Sequence, residues 1–406
     1  MMQATSRDRE GLLQSEEALD STAHPTCQED TRHDVAKKRR RLVASLALLC
    51  LLLVSSSVIA SISCWIALNG ENDVASTCAP ANTTAGRATP LTVKSPGSIL
   101  LLGGSAPRYQ RTILGFDPAS GKFIRLGKLG RRRYAPTAVR MPDGRVLVMA
   151  SEAQGEGPWT KSTEIVDLRS STITRGPSTL YHHGNFASSC LAGNTIYLCG
   201  GSKGSGYCEV LDVDEMKWRP LNFTGFSVER HSSVFVHPYV YLIGGDTGFG
   251  LEQRSIALLS PLRYDVSNGN WSTSNEGRLK VPRQSAASAV ITVKGRLSIV
   301  VCGGFHYQRK ERVTYKLCYR SCHRYDVADG RWLEFASMTR PRAALSLASL
   351  NGSLFAFGGY GTEAQPIDAT VERWDPSTDK WQAVANASLN YQLWSAAAVV
   401  VDAPLL

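Results

Sequence analysis

The chain has 406 residues, with 45 Lys and Arg against 35 Asp and Glu, and a formal net charge of +10. Residues 1–41 carry eight basic and eight acidic side chains and residues 42–68 carry none, so the whole excess falls after residue 68. This distribution excludes the first 68 residues as the source of a basic surface. A surface of this sign attracts acidic partners; charge that serves only solubility is the alternative interpretation.

Residues 1–41 form a polar segment without hydrophobic periodicity, which predicts a disordered cytosolic tail. Within it, Asp8 stands four positions before the pair Leu12 and Leu13. This spacing resembles the acidic dileucine sorting signal, in which an adaptor protein reads one charge and one apolar pair. Such a signal indicates endosomes and lysosomes rather than a resting position at the plasma membrane.

Residues 42–68 are 27 positions without a charge, which is longer than the roughly 20 residues that a helix needs to span a bilayer. Five consecutive basic residues at 37–41 precede this run, and positive charge stays on the cytosolic side. The sequence therefore predicts a transmembrane signal-anchor helix in a single-pass type II protein, followed by a stalk or linker over residues 69–97. A cleaved signal peptide, with small residues near 60–63, is the alternative.

N-glycosylation motifs of the form Asn-x-Ser/Thr occur only after the membrane run, at Asn82, Asn222, Asn270, Asn351 and Asn386. Their position agrees with a lumenal or extracellular ectodomain. This topology excludes nucleic acid as a partner and leaves sulfated or sialylated glycans, acidic peptide segments and anionic membranes. The predicted location is an endomembrane (Golgi, endosome or lysosome) or the cell surface.

One motif recurs through the rest of the chain: a hydrophobic residue, then Asp, then a large apolar residue six positions after the Asp. It occurs six times, at Asp117 with Phe123, Asp167 with Ile173, Asp212 with Trp218, Asp265 with Trp271, Asp326 with Trp332, and Asp375 with Trp381. The Asp-to-Asp steps are 50, 45, 53, 61 and 49 residues, a period typical of a repeat architecture. Each Asp is expected to begin a turn and to accept a hydrogen bond from the backbone ahead.

Two further features accompany this motif. An apolar run ends in Gly-Gly at 103–104, 200–201, 244–245, 303–304 and 358–359, with a degenerate copy at Ala150-Ser151. A strand of small residues precedes every such run except the first, and the missing copy stands at the other end, over residues 393–401. Each unit is therefore predicted to contain four strands, with the last strand of the chain completing the first unit.

These motifs resemble the kelch repeat, and six copies resemble a six-bladed kelch propeller over residues 98–403. The resemblance is stronger in units three to six, because units one and two lack the Trp. It implies an all-β fold, a six-bladed kelch-type β-propeller after one N-terminal transmembrane helix. Pairing of the two chain ends would close the ring and remove exposed edges. A generic β-sandwich is the alternative.

Seven cysteines follow the membrane run, in a space that favours disulfides: Cys78, Cys190, Cys199, Cys208, Cys302, Cys318 and Cys322. Cys199 and Cys302 stand directly before Gly-Gly, and Cys208 and Cys322 stand four residues before the repeat Asp. These matched positions predict the pairs Cys199–Cys208 and Cys302–Cys322. Buried free thiols, or pairing of Cys322 with Cys318, are the alternatives. Because seven is odd, at least one thiol is free or joins two chains in a dimer.

Basic residues open several of the small-residue strands: Arg133, His183, Arg230, Arg283 and Arg342. In kelch propellers this strand lies nearest the central channel, and in some members its arginines grip an acidic peptide loop. The resemblance therefore implies a ligand-binding ring at the channel mouth, where the guanidinium fork suits carboxylates. Capping of loops, or pairing with local acids, is the alternative role.

The sequence favours a membrane-anchored module that binds an acidic protein segment or an anionic glycan through this mouth. The alternative is a lumenal carbohydrate-active enzyme, an oxidase or an isomerase, on the same fold. Copper radical oxidases of this fold need two His and two Tyr around copper, and the histidines here have no paired spacing. No catalytic residue, metal site or cofactor is predicted.

Overall fold

The computed structural model describes residues 97–105, 110–151, 160–201, 207–221, 228–246, 259–273, 277–310, 313–361, 369–389 and 392–402. Across these ranges the structure consists of β-strands, turns and bridges, and it contains no helix. No helix of the described ranges has the length and hydropathy needed to cross a bilayer. The predicted tail (1–41) and transmembrane segment (42–68) lie outside the described residues, as does the linker up to residue 96.

Six four-stranded antiparallel sheets form the blades. Blade 1 contains β1 Ser98–Leu102, β2 Gln110–Asp117 and β3 Lys122–Arg133, and blade 2 contains β4 Thr137–Arg140, β5 Val146–Met149, β6 Glu164–Asp167 and β7 Thr172–Arg175. Blade 3 contains β8 Ser188–Ala192, β9 Thr195–Cys199, β10 Cys208–Asp212 and β11 Lys217–Leu221. Blade 4 contains β12 Ser232–Val236, β13 Tyr239–Ile243, β14 Leu262–Asp265 and β15 Asn270–Thr273.

The last two blades complete the fold. Blade 5 contains β16 Ala287–Val293, β17 Arg296–Cys302, β20 Cys322–Asp326 and β21 Arg331–Phe335, with an extra hairpin of β18 Phe305–Lys310 and β19 Val313–Cys318. Blade 6 contains β22 Ser346–Leu350, β23 Ser353–Phe357, β24 Thr370–Asp375 and β25 Lys380–Ser388. The final strand, β26 Ala397–Val401, belongs to blade 1. The inserted hairpin accounts for the long step of 61 residues between Asp265 and Asp326.

The two ends of the described chain close the ring. Strand β26 pairs antiparallel with β1, with Ser98 opposite Val401 and Leu102 opposite Ala397. The first strands of the blades contact one another in the circuit β26, β4, β8, β12, β16, β22 and back to β26. Asp402, directly after β26, forms an ion pair with Arg140 of blade 2. The predicted six-bladed propeller with a split first unit is confirmed.

The repeat motif joins the two outer strands of every blade. In each blade the hydrophobic residue before the Asp faces the large apolar residue across the strand pair, as Trp374 faces Trp381 in blade 6. In each turn the Asp carboxylate accepts a hydrogen bond from the amide two residues ahead. The carboxylate thus holds the turn that reverses the chain, as the sequence predicted. We call the face that carries these turns the lower face and the face that carries the Gly-Gly pairs the upper face.

The Gly-Gly pairs join neighbouring blades at the upper face. The amide of the second residue donates to a carbonyl at the start of the next blade, as Gly304 donates to Arg342 at 2.8 Å and Gly359 donates to Leu393 at 2.9 Å. The same bond occurs at all six blade junctions, including Ser151 to His183 in the degenerate unit. Apolar clusters fill the space between the sheets below these bonds. Backbone hydrogen bonds above and apolar packing below therefore hold adjacent blades together.

Candidate functional site

The structure places most of the predicted ligand-binding residues inside the blades. Arg133 is fully buried, and its Nε lies 3.0 Å from Glu164 Oε1 while its Nη1 donates to the Ala150 carbonyl at 2.8 Å. Arg342 repeats this arrangement, with its Nε 2.8 Å from Glu372 Oε1 and its Nη1 2.8 Å from the Gly358 carbonyl. Each guanidinium lies just before the first strand of blade 2 or blade 6, and it contacts the third strand of that blade and the carbonyl of the first residue of the Gly-Gly position. These contacts match the alternative role of pairing with local acids.

His183 and Arg283 occupy the same position in blades 3 and 5. His183 Nε2 lies 2.7 Å from Glu209 Oε1, and its Nδ1 lies 2.8 Å from the Gly200 carbonyl. Both ring nitrogens face oxygen atoms, so the imidazole reproduces the two-sided contact of a guanidinium. Arg283 donates to the Gly303 carbonyl at 2.6 Å.

In blade 5 a neutral imidazole takes the place of the carboxylate. The Nδ1 of His323 lies 2.9 Å from Arg283 Nη2. Burial and the neighbouring Arg283 charge lower the pKa of His323 to about 4. The imidazole is therefore uncharged near neutral pH and accepts the guanidinium hydrogen bond. Burial lowers the pKa of Arg283 to about 10, so the guanidinium keeps its charge there.

Blade 4 departs from this pattern, and Arg230 does not share the position of the other four. The carbonyl that receives the Gly201 amide belongs to the buried Val228, two residues earlier. Arg230 instead corresponds to a second recurrent position, at which the backbone adopts positive φ in five blades: Phe186, Arg230, Ser285, Ala344 and Ser395, with φ between 50° and 64°. Amide-to-carbonyl hydrogen bonds link these five residues from blade to blade around the channel. Arg230 is the only cation of this inner ring.

The Arg230 side chain is partly exposed and lies between acids and an aromatic ring. Its side chain is 30% exposed, and Nη1 lies 2.9 Å from Glu229 Oε1 and 3.6 Å from Asp246 Oδ2. The guanidinium lies 5.4 Å from the centre of the Phe186 ring, and Tyr134 packs edge-on against that ring at 5.6 Å. Burial raises the pKa of Glu229, Asp246 acts in the same direction, and Arg230 opposes them. A cation with an aromatic wall is thus held at the mouth of the channel.

The β18–β19 hairpin adds a second cation near this mouth. Lys316 Nζ lies 4.3 Å from the centre of the Phe305 ring and 3.9 Å from that of Tyr360 in blade 6. Partial burial lowers the pKa of Lys316; the Cys318 thiol opposes this shift, and the positive charge of Arg230 adds to it. Tyr307, Tyr315 and Leu317 leave about half of their surface exposed on the same hairpin, at 50%, 53% and 42%. Tyr307 pairs with Lys316 and shares its face of the hairpin, whereas Tyr315 and Leu317 lie on the other face. We call Arg230, Phe186, Lys316, Tyr360 and Tyr307 the mouth cluster.

Both predicted cysteine pairs are present in the structure. Cys199 with Cys208 and Cys302 with Cys322 each have a Cα–Cα distance of 4.2 Å, and each pair joins the second and third strands of its blade. Cys190 and Cys318 are buried free thiols, and burial raises the pKa of Cys190 to about 12. Cys78 lies outside the described residues. No group of three His, Cys, Asp or Glu side chains in the described ranges could hold a metal ion.

Three glycosylation motifs fall within the described residues. Asn351 is exposed in a lower-face turn, Asn270 is exposed at the start of β15, and Asn386 is exposed on the outer strand of blade 6. The other two predicted glycosylation sites, Asn82 and Asn222, lie outside the described residues. So do the predicted sorting residues Asp8, Leu12 and Leu13. Glycosylation and sorting remain predictions.

The chain resembles known proteins along its repeats. A Kelch motif matches residues 341–388. Kelch-like protein 41a of Danio rerio is 29% identical over 173 residues, which are 42% of this chain and 25% of that protein. Kelch-like protein 23 of Homo sapiens is 24% identical over 197 residues, which are 48% of this chain and 31% of that protein. The chain therefore spans about a third or less of the length of these relatives.

A solved structure, that of YjhT, has the same fold. It superposes with a TM-score of 0.54 at 12% identity, over 72% of this chain and 99% of its own. An identity this low supports the fold alone. The matched Kelch motif, the Kelch-like relatives and the six blades together support a kelch propeller.

Proposed function

We propose that this kelch propeller is a protein-binding module that captures an acidic, extended segment of its partner on the mouth cluster. The observation that carries this proposal is the position of Arg230, the one cation of the inner ring, beside the ring of Phe186. Kelch propellers are commonly protein-binding modules, and the Kelch-like relatives favour a protein partner over other classes. The guanidinium fork suits a carboxylate, and the aromatic wall suits an apolar neighbour of that carboxylate.

The chemistry of the mouth supports an acidic partner of limited charge. Glu229 and Asp246 already neutralise part of the Arg230 charge, so a segment with one or two carboxylates fits better than a dense polyanion. Lys316 supplies a second cation, and the exposed Tyr307, its partner across the hairpin, supplies apolar surface beside it. Tyrosine contributes contact area at a low entropic cost and is enriched in protein interfaces.

Peptide selection on the full-length protein in detergent tests this proposal. A random 16-residue library is selected against wild type, Arg230→Gln, and Arg263→Gln as the matched control. Arg263 lies on β14 of the same blade, over the Tyr239 ring, and does not belong to the mouth cluster. Wild type and the control should enrich Asp and Glu beside an aromatic residue, and Arg230→Gln should bind those peptides on the order of 30-fold more weakly. Equal enrichment by Arg230→Gln contradicts the proposal.

The proposal also includes a membrane anchor at residues 42–68 and an ectodomain in the lumen or outside the cell. The uncharged run after five basic residues supports it. Protease added to sealed vesicles should remove only the tail, and glycosidase should shift the mobility of the protected fragment. A propeller digested from the cytosolic side, without attached glycan, contradicts this topology.

A further inference from the structure

The outer strand of blade 1 concentrates positive charge outside the mouth cluster. Strand β3 has 12 residues, KFIRLGKLGRRR, with six basic side chains and no acidic one. Two register shifts interrupt its pairing with β2, so the strand twists away from a regular ladder. Lys122, Arg125, Lys128 and Arg131 are exposed along it. A part of the net charge of the chain is therefore located on one edge of the propeller.

The last part of β3 forms one wall of a cleft between blades 1 and 2. The cleft has a volume of about 460 Å³, and its other wall comes from β6, β7 and the residues before β6. Lys128 and Arg131 line it from blade 1, and Arg175 lines it from blade 2. This volume falls within the range of small-ligand sites, roughly 300–1,000 Å³. Three cations from two different blades thus converge on one opening.

The carboxylate in this cleft pairs with groups other than Lys128 and Arg175. Glu164 is buried, and its oxygens accept hydrogen bonds from Arg133 Nε and from the Gly130 amide. Its charge is therefore matched from within by the fully buried Arg133. The hydroxyl of Thr174 lies on the exposed rim and offers a neutral donor. Glu164 therefore leaves the charges of Lys128 and Arg175 in the described lining of the cleft unneutralised.

Edge protection is the simpler explanation for basic residues on an outer strand, because lysines there discourage strand-to-strand aggregation. That explanation covers β3, and it covers Arg175 as well, because Arg175 ends β7, the outer strand of blade 2. It does not account for a cleft of ligand size at the place where cations of two blades meet.

We propose that this cleft binds a tetrahedral oxyanion, a sulfate or phosphate group, carried by a linear polyanion. The linear form follows from Arg125, which is exposed beyond the cleft and which a register shift places on the same face of β3 as Lys128. Residues three apart on a strand are roughly 10 Å apart, a spacing that a chain with repeated charges can follow. Sulfated oligosaccharide is the source that we favour, because the predicted ectodomain faces the lumen or the exterior. This site is separate from the mouth cluster, and the two proposals stand or fall independently.

Fluorescence titration of the full-length protein with a labelled, heparin-derived hexasaccharide tests the site. The variant is Lys128→Ala with Arg175→Ala. The matched control is Lys217→Ala with Lys380→Ala, which removes the same charge from the outer strands of blades 3 and 6. All four side chains are exposed, so both variants should have the melting temperature of the wild-type protein. At 150 mM salt the cleft variant should bind the hexasaccharide at least about 10-fold more weakly than wild type. The affinity of the control should stay within about 2-fold of the wild-type value.

Two further probes distinguish a sulfate ligand from a phosphate ligand. A desulfated hexasaccharide of the same length should not bind wild type. If inositol hexakisphosphate binds wild type tightly, and the cleft variant alone loses it, the site is supported with phosphate as its ligand. Equal losses in the cleft variant and the control would show that only the net charge matters, and this result overturns the proposal. So does a wild-type protein that binds neither probe.

Discussion

Replacement of Gly358 by Ala probes the junction at which the ring closes. A Cβ built on Gly358 would lie 1.8 Å from the Leu393 carbonyl oxygen, and the next residue, Gly359, donates to that same oxygen at 2.9 Å. Real Cβ atoms essentially never approach within 3.0 Å. Blades 6 and 1 would therefore have to separate by more than about 1 Å, which a close-packed interior resists.

Gly193 provides the matched control. Its φ is +60°, close to the +57° of Gly358, but a Cβ there meets nothing within 4 Å. Both substitutions carry the left-handed backbone penalty of roughly 1–2 kcal/mol. Gly358→Ala adds overpacking of about 1–3 kcal/mol and the weakened hydrogen bond of Gly359, about 1 kcal/mol more. We expect a loss of about 3–6 kcal/mol for Gly358→Ala and about 1–2 kcal/mol for Gly193→Ala.

Urea unfolding followed by tryptophan fluorescence measures both values on the same protein. The slope of the unfolding free energy against urea concentration should be the same for both variants and wild type, because all three expose the same surface on unfolding. The reasoning is refuted if Gly358→Ala is no less stable than Gly193→Ala, since the close approach to the Leu393 carbonyl would then have no energetic consequence.

Three further predictions follow from buried groups. Arg342→Met should cost about 3–5 kcal/mol in urea unfolding because Glu372 stays buried without its cation, whereas adding Glu372→Met should recover part of that loss; strictly additive losses would argue against a coupled pair. Burial lowers the pKa of His231 to about 3, so stability should fall as the pH drops from 6.5 toward 3, by about 1.4 kcal/mol per unit from this group. His231→Leu should flatten that slope in pH-dependent melting, and an unchanged slope would exclude His231 as its source. Peptide mapping without reduction should find two disulfides, and alkylation of these cysteines as free thiols would reject them: Cys199 with Cys208 and Cys302 with Cys322.

The fold was accessible from the sequence because its determinants are local. Each repeat is marked by short motifs within a few residues: the Asp turn, the Gly-Gly pair and the strand of small residues. The same kind of strand at the end of the chain identified the missing copy of the first unit. The cysteine pairs were accessible for the same reason, because equivalent positions on neighbouring strands face each other. Alignment of the repeats with one another is enough to reveal such equivalent positions.

The roles of the basic residues were less accessible. A Glu three residues before the repeat Asp occurs in units two, three and six, and it is the partner of the basic residue in each of those blades. That covariation within the chain could have revealed the buried pairs. The different position of Arg230 could not be read in this way, because blade 4 has Val228 and Leu262 where blades 2, 3 and 6 have the ion pair. Only the backbone hydrogen bonds show the offset of two residues.

The mouth cluster and the blade 1–2 cleft had no sequence signal of their own. Arg230 and Lys316 lie in different repeats, and Lys128 and Arg175 lie on different blades. Their proximity depends on the ring geometry and on the path of the inserted hairpin. Sites of this kind depend on how blades are placed around the ring rather than on any one motif.

The split first blade has a consequence for synthesis of the protein. Strand β1 must wait for β26, and the paired residues Ser98 and Val401 are about 300 positions apart. At a translation rate of roughly 5–20 residues per second, β1 lacks its partner for roughly 15–60 s after it is made. Blades 2 to 6 have all their strands in order and can fold as they emerge, but blade 1 is assembled only after β26 has been made. The apolar strand Ile99 to Leu102 therefore has an unpaired edge during that interval, an edge of the kind that invites aggregation, and synthesis of β26 is the event that ends it.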